Sequence, residues 1–161
     1  MAARGKAVLE AFIVGTLLAI GAAPTPAWAV DPWETAEPAP NNYPAPNSIC
    51  QAINAATACF SMSGDDWYVL DRFPDGLAVY VNWQNQLMNN VGSWSLYRSG
   101  QCRSNLGTSN WGVCYKDYYE NSTANNAYGG KGSQLRWQAC ADAGAAPDIC
   151  SSWTPWRNNT S

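Results

Sequence analysis

The sequence contains no histidine, and this absence removes several common kinds of site. Without histidine there is no Ser-His or Cys-His nucleophile pair, and the commonest general base near neutral pH is missing. No two cysteines have the C-x-x-C spacing, so a zinc site would have to use thiolates alone. We therefore expect neither a metal nor a cofactor.

The side chains left for acid and base catalysis are carboxylates. Three close pairs occur, namely Asp65 with Asp66, Asp71 with Asp75, and Asp117 with Glu120. A glycosidase needs two carboxylates about 5 to 9 Å apart, but these residues also fit turns and strand ends, which is a simpler explanation. The segment 71–76 lacks the alternating ligands of an EF-hand calcium loop. The sequence thus predicts a protein that is not an enzyme.

No hydrophobic run is long enough to span a membrane. The almost unbroken apolar stretch at residues 11–23 has thirteen residues, whereas a transmembrane helix needs about 20. It follows the basic residues Arg4 and Lys6 and precedes Ala27-Trp28-Ala29, the small-x-small pattern of a signal-peptidase site. We expect residues 1–29 to be a signal peptide and the mature chain to be secreted into the extracellular medium.

Charged residues are scarce, at 13% of the chain. Loss of the signal peptide would leave seven basic and eleven acidic side chains, spread over about 132 residues. Nucleic acids and anionic membranes bind basic patches, so neither is an expected partner. A chain of this length can form one domain with a sizeable core.

All six cysteines lie in the predicted exported part, at positions Cys50, Cys59, Cys102, Cys114, Cys140 and Cys150. An even number of cysteines in an oxidising compartment predicts disulfides. Six cysteines allow fifteen connectivities. The even spacing favours bridges between nearest neighbours along the chain.

The exported chain divides into a proline-rich tail, residues 30–47, and a disulfide-stabilised β domain, residues 48–161. Five prolines among the seventeen residues from Asp31 to Asn47 exclude a helix or a central strand and favour an extended chain. Trp33 and Tyr43 stand out in this otherwise polar tail. It is either a solvated spacer or a ligand for a groove on another protein.

The β domain is expected to be an antiparallel sandwich or barrel of about seven short strands, with room for one short N-terminal helix. At residues 48–60 a capping pattern favours a helix, but a helix through Cys50 and Cys59 would hold them about 13 Å apart. We expect a short helix or turn there, and then a strand from Ala58. Further strands are predicted at residues 66–72, 77–84, 93–98, 111–119, 134–141 and 149–156, and the Pro-Asp-Gly turn at 74–76 is expected to close a hairpin.

Nine tryptophans and eight tyrosines are the most unusual feature of the composition. Four tryptophans in strand patterns, Trp67, Trp83, Trp94 and Trp137, are expected in the core. Trp111 and Tyr128 lie at or in loops and are candidates for exposed rings that contact a sugar or a protein. Trp153 and Trp156 are expected to cover a sheet edge near the C-terminus.

Two segments together resemble a known group of proteins. The order ACFSMSGDDWYVLDRFPDGLAVYVNWQ, then YRSGQCRSNLGTSNWGVCYKDYYE, then a third cysteine pair, is similar to that of small secreted actinobacterial proteins, and the similarity covers residues 58–156. Some of these proteins resemble the adaptor subunit of umbrella toxin particles, which are secreted antibacterial complexes. The resemblance implies an adaptor whose extended N-terminal segment inserts into a cleft of a lectin-bearing, protease-like subunit, while its body joins the stalk of the toxin chain. The prolines of the tail argue against insertion as an added strand and favour docking in a groove.

The sequence as a whole predicts a secreted domain that works by binding, with another extracellular protein as the expected partner. The predicted contact residues are Trp33, Tyr43, Arg103, Trp111 and Tyr128. One alternative is a carbohydrate-binding module for cell-wall or plant polysaccharide that uses Trp111 and Tyr128. The other is a protease inhibitor that presents residues 103–111 as a substrate-like loop.

Overall fold

The computed structural model describes residues 29–30 and 33–160, and their secondary structure is almost entirely β. The predicted signal peptide lies outside the described residues, except for Ala29. Two sheets pack face to face with no closed barrel, so the fold is a sandwich, one of the two predicted architectures. The described residues contain no α-helix.

The strands are β1 (Ala29–Val30), β2 (Glu34–Thr35), β3 (Glu37–Pro38), β4 (Ile49–Ala52), β5 (Ala56–Ser61), β6 (Asp66–Asp71), β7 (Val79–Asn89), β8 (Trp94–Ser104), β9 (Trp111–Cys114), β10 (Gly129–Ala141), β11 (Ile149–Cys150) and β12 (Arg157–Asn158), and one 3-10 turn spans Pro40–Asn42.

The larger sheet is built on three long antiparallel strands in the order β8, β7, β10. The short strands β1 and β2 pair in parallel with the outer side of β8, and β11 and β12 pair with the outer side of β10. The smaller sheet is antiparallel, in the order β3, β9, β6, β5, β4. Alternation of apolar and polar residues along the long strands gives each one a face toward the other sheet.

Tryptophan dominates the space between the sheets. Trp67 of the smaller sheet stacks on Trp83 of the larger one, with ring centroids 6.2 Å apart, and meets the edge of Trp137 at 5.5 Å. All three are fully buried, which confirms their predicted place in the core. The fourth predicted core tryptophan, Trp94, is only half-buried, because it lies at the start of β8 near one end of the sheet.

The disulfides join nearest neighbours, as the cysteine spacing predicted. Cys50–Cys59 and Cys140–Cys150 each link residues that lie directly opposite one another in paired strands, β4 with β5 and β10 with β11. Cys102–Cys114 is different, because it ties β8 of the larger sheet to β9 of the smaller one. The two layers of the sandwich are therefore covalently linked near the core.

Four local predictions were wrong. The expected short helix near residue 50 is the strand β4, and the next strand begins at Ala56 rather than Ala58, since a hairpin brings the two cysteines face to face where a helix would separate them. The turn at residues 74–76 does not close a hairpin, because β6 and β7 belong to different sheets. Residues 115–119, expected to continue β9, form no strand.

Candidate functional site

The N-terminal segment, residues 33–47, lies against the body of the domain. Its strand β2 pairs with the end of β8, and the Ala36 N–H donates to the carbonyl of Arg103 at 2.7 Å. Its strand β3 then pairs with β9, and the Ala39 N–H donates to the carbonyl of Trp111 at 2.8 Å. The segment thus crosses from the edge of one sheet to the edge of the other and covers one side of the sandwich.

Small side chains anchor this segment. Ala36 and Ala39 are 4% and 7% exposed. Ala36 sits directly over Gly112, where an added Cβ would lie only 2.7 Å from the Ala36 Cβ. Pro38 fits in β3 because an edge strand tolerates a residue without an N–H donor. The segment can therefore lie this close to the body because residues 36 and 112 both have small side chains.

A turn at Pro40–Asn42 fixes the next part of the segment. The Asn42 side chain accepts a hydrogen bond from the N–H of Trp111 at 2.6 Å and donates one to the carbonyl of Ser109 at 3.2 Å. Beyond this turn, a groove of about 370 Å³ is lined by three prolines of the segment together with Asn41, Tyr43, Ala45 and Tyr68. Tyr43 is 71% exposed at this groove.

The start of the segment places Trp33 over a charged cluster. Trp33 is 58% exposed, and the Arg103 guanidinium lies 5.6 Å from its ring centroid. Arg103 also stacks on Tyr80 at 4.9 Å and forms an ion pair with Asp142 at 2.5 Å. Its planar cation is thus held between two rings and a carboxylate.

Electrostatics reinforce this cluster. The Tyr80 hydroxyl donates to Asp148. Burial is the larger cause and this hydrogen bond the next one that raises the pKa of Tyr80, so the phenol stays protonated. A backbone hydrogen bond from Gly144 and the nearby Arg103 lower the pKa of Asp142, so its carboxylate stays ionised beside the guanidinium. Arg103 is therefore part of a fixed assembly beneath Trp33.

Four of the five predicted contact residues lie on this segment or against it. Trp33 and Tyr43 are exposed on it, Arg103 supports Trp33, and Trp111 is half-buried beneath the turn, where its backbone holds Ala39 and Asn42. Arg103 lies in strand β8 rather than in a loop, and its ion pair and ring contacts leave it unlike the presented side chain of a substrate-like inhibitor.

Tyr128 lies away from the other four. Its hydroxyl donates to the carbonyl of Leu96, seven residues along β8 from Arg103, and its ring meets Tyr97 edge-on. It is half-buried, so it does not offer the open ring that a sugar-stacking site on the loop would need.

Two further contacts, one at the N-terminal segment and one on the face of the larger sheet, were missed by sequence reasoning. Lys116 forms an ion pair with Glu34 of β2 at 3.1 Å. Arg136 lies between the rings of Trp153 and Trp156, at 4.7 and 4.6 Å from their centroids. A search for cations near paired tryptophans would have suggested the second contact; the first depends on a tertiary pairing that no local pattern shows.

Among the six carboxylates considered for catalysis, Asp65, Asp71 and Asp75 accept hydrogen bonds from backbone or side-chain donors. Asp65 accepts from the Tyr118 N–H at 2.7 Å and from the Asn159 amide at 2.9 Å, and burial is the main cause that raises the pKa of Asp65. Asp71 accepts from the N–H of Phe73 and Asp75 from that of Leu77, which are turn contacts. These contacts give the three carboxylates structural roles.

The part of the chain that the structure describes has no helix long and apolar enough to cross a membrane. Comparison with models of protein families, with curated proteins and with solved structures finds no match. No function therefore comes to this chain from a relative, and its role has to be inferred from its residues.

Proposed function

We propose that this protein is a secreted, non-catalytic domain that binds another extracellular protein through the exposed face of the N-terminal segment, residues 33–47. The observation that supports this proposal is that the segment buries small side chains and exposes large aromatic ones. The segment buries its alanines against the body and leaves Trp33 and Tyr43 in solvent, at 58% and 71% exposure. Large exposed aromatics next to an apolar groove are typical of contact surfaces.

The energetics favour binding by this surface. Burying one such ring in a partner would contribute about 1.5 to 3 kcal/mol from apolar area alone. The backbone contacts of Ala36, Ala39 and Asn42 already fix the segment, so little chain entropy would be lost when a partner binds. A free proline-rich tail would lose much more.

The three disulfides support an extracellular setting, because such bonds persist in oxidising compartments. The resemblance to small secreted actinobacterial proteins supports a more specific role, that of an adaptor in an extracellular antibacterial toxin complex. In the geometry described above, the partner would bind the segment where it lies. Insertion of the whole segment into a partner's cleft would uncover Gly112 and the outer side of β9, at a cost in stability.

The test is isolation of the mature protein, with a C-terminal tag, from the culture medium of the organism that produces it. We expect the protein to elute with a second secreted protein at a size well above that of the monomer. Trp33→Ala and Tyr43→Ala should each weaken the complex, and the double variant should release the partner. Phe73→Ala removes a ring of similar exposure, 52%, from the turn after β6, outside the segment and the groove lining, and is the matched control.

Recovery of wild-type protein only as a free monomer would contradict the proposal. So would a complex that survives in the double variant but is lost in Phe73→Ala. Point variants are preferable to deletion of the segment, since deletion would expose the hydrophobic contacts that Ala36 and Ala39 now cover.

A further inference from the structure

A second candidate site lies at one end of the sandwich, apart from residues 33–47. A cavity of about 300 Å³ opens there, lined by Asn85, Tyr97, Arg98, Asp117, Tyr118 and Tyr119. Its volume is at the lower end of the range for small-ligand pockets, about 300 to 1,000 Å³.

Asn85 is the most informative residue of this cavity. It follows Val79, Val81 and Trp83 on the face of β7 that points toward the core, and it is 1% exposed. Its amide nitrogen donates to the Ser133 hydroxyl and to the carbonyl of Gln134, both at 3.0 Å. Its Oδ1 is buried and accepts no hydrogen bond from any residue that the structure describes. Buried acceptors without a partner are uncommon, and one that belongs to the lining of a cavity is a candidate for a hydrogen bond from a ligand.

A bulge shapes the wall of the cavity. Asn85 pairs with Arg98 and Gln86 pairs with Leu96, so Tyr97 is an extra residue on β8 at this point. Bulges bend a strand and redirect its side chains, and they are frequent beside functional sites. The ring of Tyr97 lies 6.0 Å from that of Tyr119, at an angle of 60°, and the two rings form an aromatic corner.

The charges of the lining narrow the class of ligand. Arg98 and Asp117 contribute one charge of each sign, and the Arg98 guanidinium donates to the Asp117 carbonyl at 3.0 Å and lies 5.1 Å from the Tyr118 ring centroid. An anionic ligand would be repelled by the Asp117 carboxylate, and a cationic ligand would be repelled by the Arg98 guanidinium. A purely apolar ligand would leave Asn85 Oδ1 without a donor.

We propose that this cavity binds a pyranose unit of a saccharide. Such a ring is uncharged, its hydroxyl groups can donate to Asn85 Oδ1 and to Asp117, and its C–H face can pack on Tyr119, the more exposed ring of the aromatic corner. The proposal is independent of the protein-binding surface at residues 33–47, because none of the residues that carry it belongs to that segment.

The test is titration of the ¹⁵N-labelled mature protein with the methyl glycosides of glucose, galactose, mannose and N-acetylglucosamine, followed by NMR. At least one glycoside should produce saturable shifts at the amides of Tyr97, Tyr118 and Tyr119, with a Kd of about 1 mM, as expected for a ligand of so few atoms. Methylammonium and acetate serve as the cationic and anionic probes.

Matched variants on one short stretch locate the site. Tyr119→Ala removes a partly exposed ring of the cavity and should weaken glycoside binding about tenfold, whereas Tyr115→Ala, four residues earlier and outside the lining, should leave it unchanged. Three results would overturn the proposal: no saturation by any of the four glycosides, equal binding by Tyr119→Ala and wild type, or tighter binding of methylammonium or acetate at the same amides.

Discussion

The contact between Ala36 and Gly112 offers a sharp test of how the N-terminal segment is held. In Gly112→Ala the new Cβ would lie 2.7 Å from the Ala36 Cβ, about 1 Å closer than the usual contact of 3.5 to 4.0 Å between carbon atoms. Overpacking of this kind costs about 1 to 3 kcal/mol. The new methyl group also meets Val69 and Leu106 at 3.4 Å, so β9 has little room to retreat.

The segment is the weaker side of this contact, because β2 and β3 have only two residues each. We therefore expect Gly112→Ala to release the segment locally rather than unfold the domain. Hydrogen exchange at the amides of Ala36 and Ala39 should speed up by about 5- to 150-fold, the factor that corresponds to 1 to 3 kcal/mol. Amides in the centre of β7 should change much less.

In the matched control, residue 112 carries the methyl group and residue 36 does not. In the double variant Ala36→Gly with Gly112→Ala the clash is gone, so Gly112→Ala should cost almost nothing in the Ala36→Gly background. The coupling energy of the double-mutant cycle should be about 1 to 3 kcal/mol. Wild-type exchange at Ala36 in Gly112→Ala, or an equal cost in both backgrounds, would refute this account of the anchor.

Three further predictions concern the core and the sheet face and are tested by urea or thermal unfolding. Replacing both cysteines of Cys102–Cys114 by alanine should lower the free energy of unfolding by about 4 kcal/mol, because it removes both the loop constraint and two buried sulfurs. Replacing both cysteines of the β4–β5 bridge should lower it by about 3 kcal/mol. Equal losses, or a larger loss for the β4–β5 bridge, would contradict the role of the buried sulfurs. Burial raises the pKa of Asp65 above 3.8, so the folded protein takes up this proton first as the pH falls. The stability of wild type relative to Asp65→Asn should therefore increase from about pH 7 to about pH 4, and a constant or decreasing difference would count against it. Arg136→Lys should lower stability by about 1 to 2 kcal/mol, because lysine loses both the planar stacking between two tryptophans and the paired hydrogen bonds to Gln84 Oε1. Unchanged stability would show that these contacts contribute little.

The elements that could be predicted from the sequence are those that depend on neighbouring residues. Alternation along β7 placed Val79, Val81 and Trp83 inside, and the spacing of the cysteines gave their pairing. Continuing the same alternation by one step would also have placed Asn85 inside, where a buried amide is itself a signal of a polar site. That step requires confidence in a strand boundary, which a short pattern does not give.

The remaining features depend on contacts between distant parts of the chain. The Pro-Asp-Gly turn at residues 74–76 has the same local chemistry whether it closes a hairpin or passes from one sheet to the other, and only the pairing of β6 with β9 decides. The docking of the segment depends on Ala36 meeting Gly112, and two small residues leave no pattern in a sequence. Trp33 and Tyr43 were predicted as contact residues, but the docking of their segment on the body was not predicted.

The two proposed sites are both in contact with one short stretch of chain, residues 116–119. This raises the question of whether binding at one site influences the other. Lys116 pairs with Glu34 of the N-terminal segment, and Tyr119, three residues later, lines the cavity. Between them Tyr118 is 5% exposed, and its hydroxyl accepts a hydrogen bond from the Trp67 indole at 2.9 Å in the centre of the core. Coupling between two sites needs a structural element that can adopt two arrangements. The Tyr118 side chain is packed among other aromatic rings, which leaves no room for a second arrangement. We therefore expect Tyr118 to keep the two proposed sites independent, so that binding of a protein partner at one should not change the Kd of a saccharide at the other.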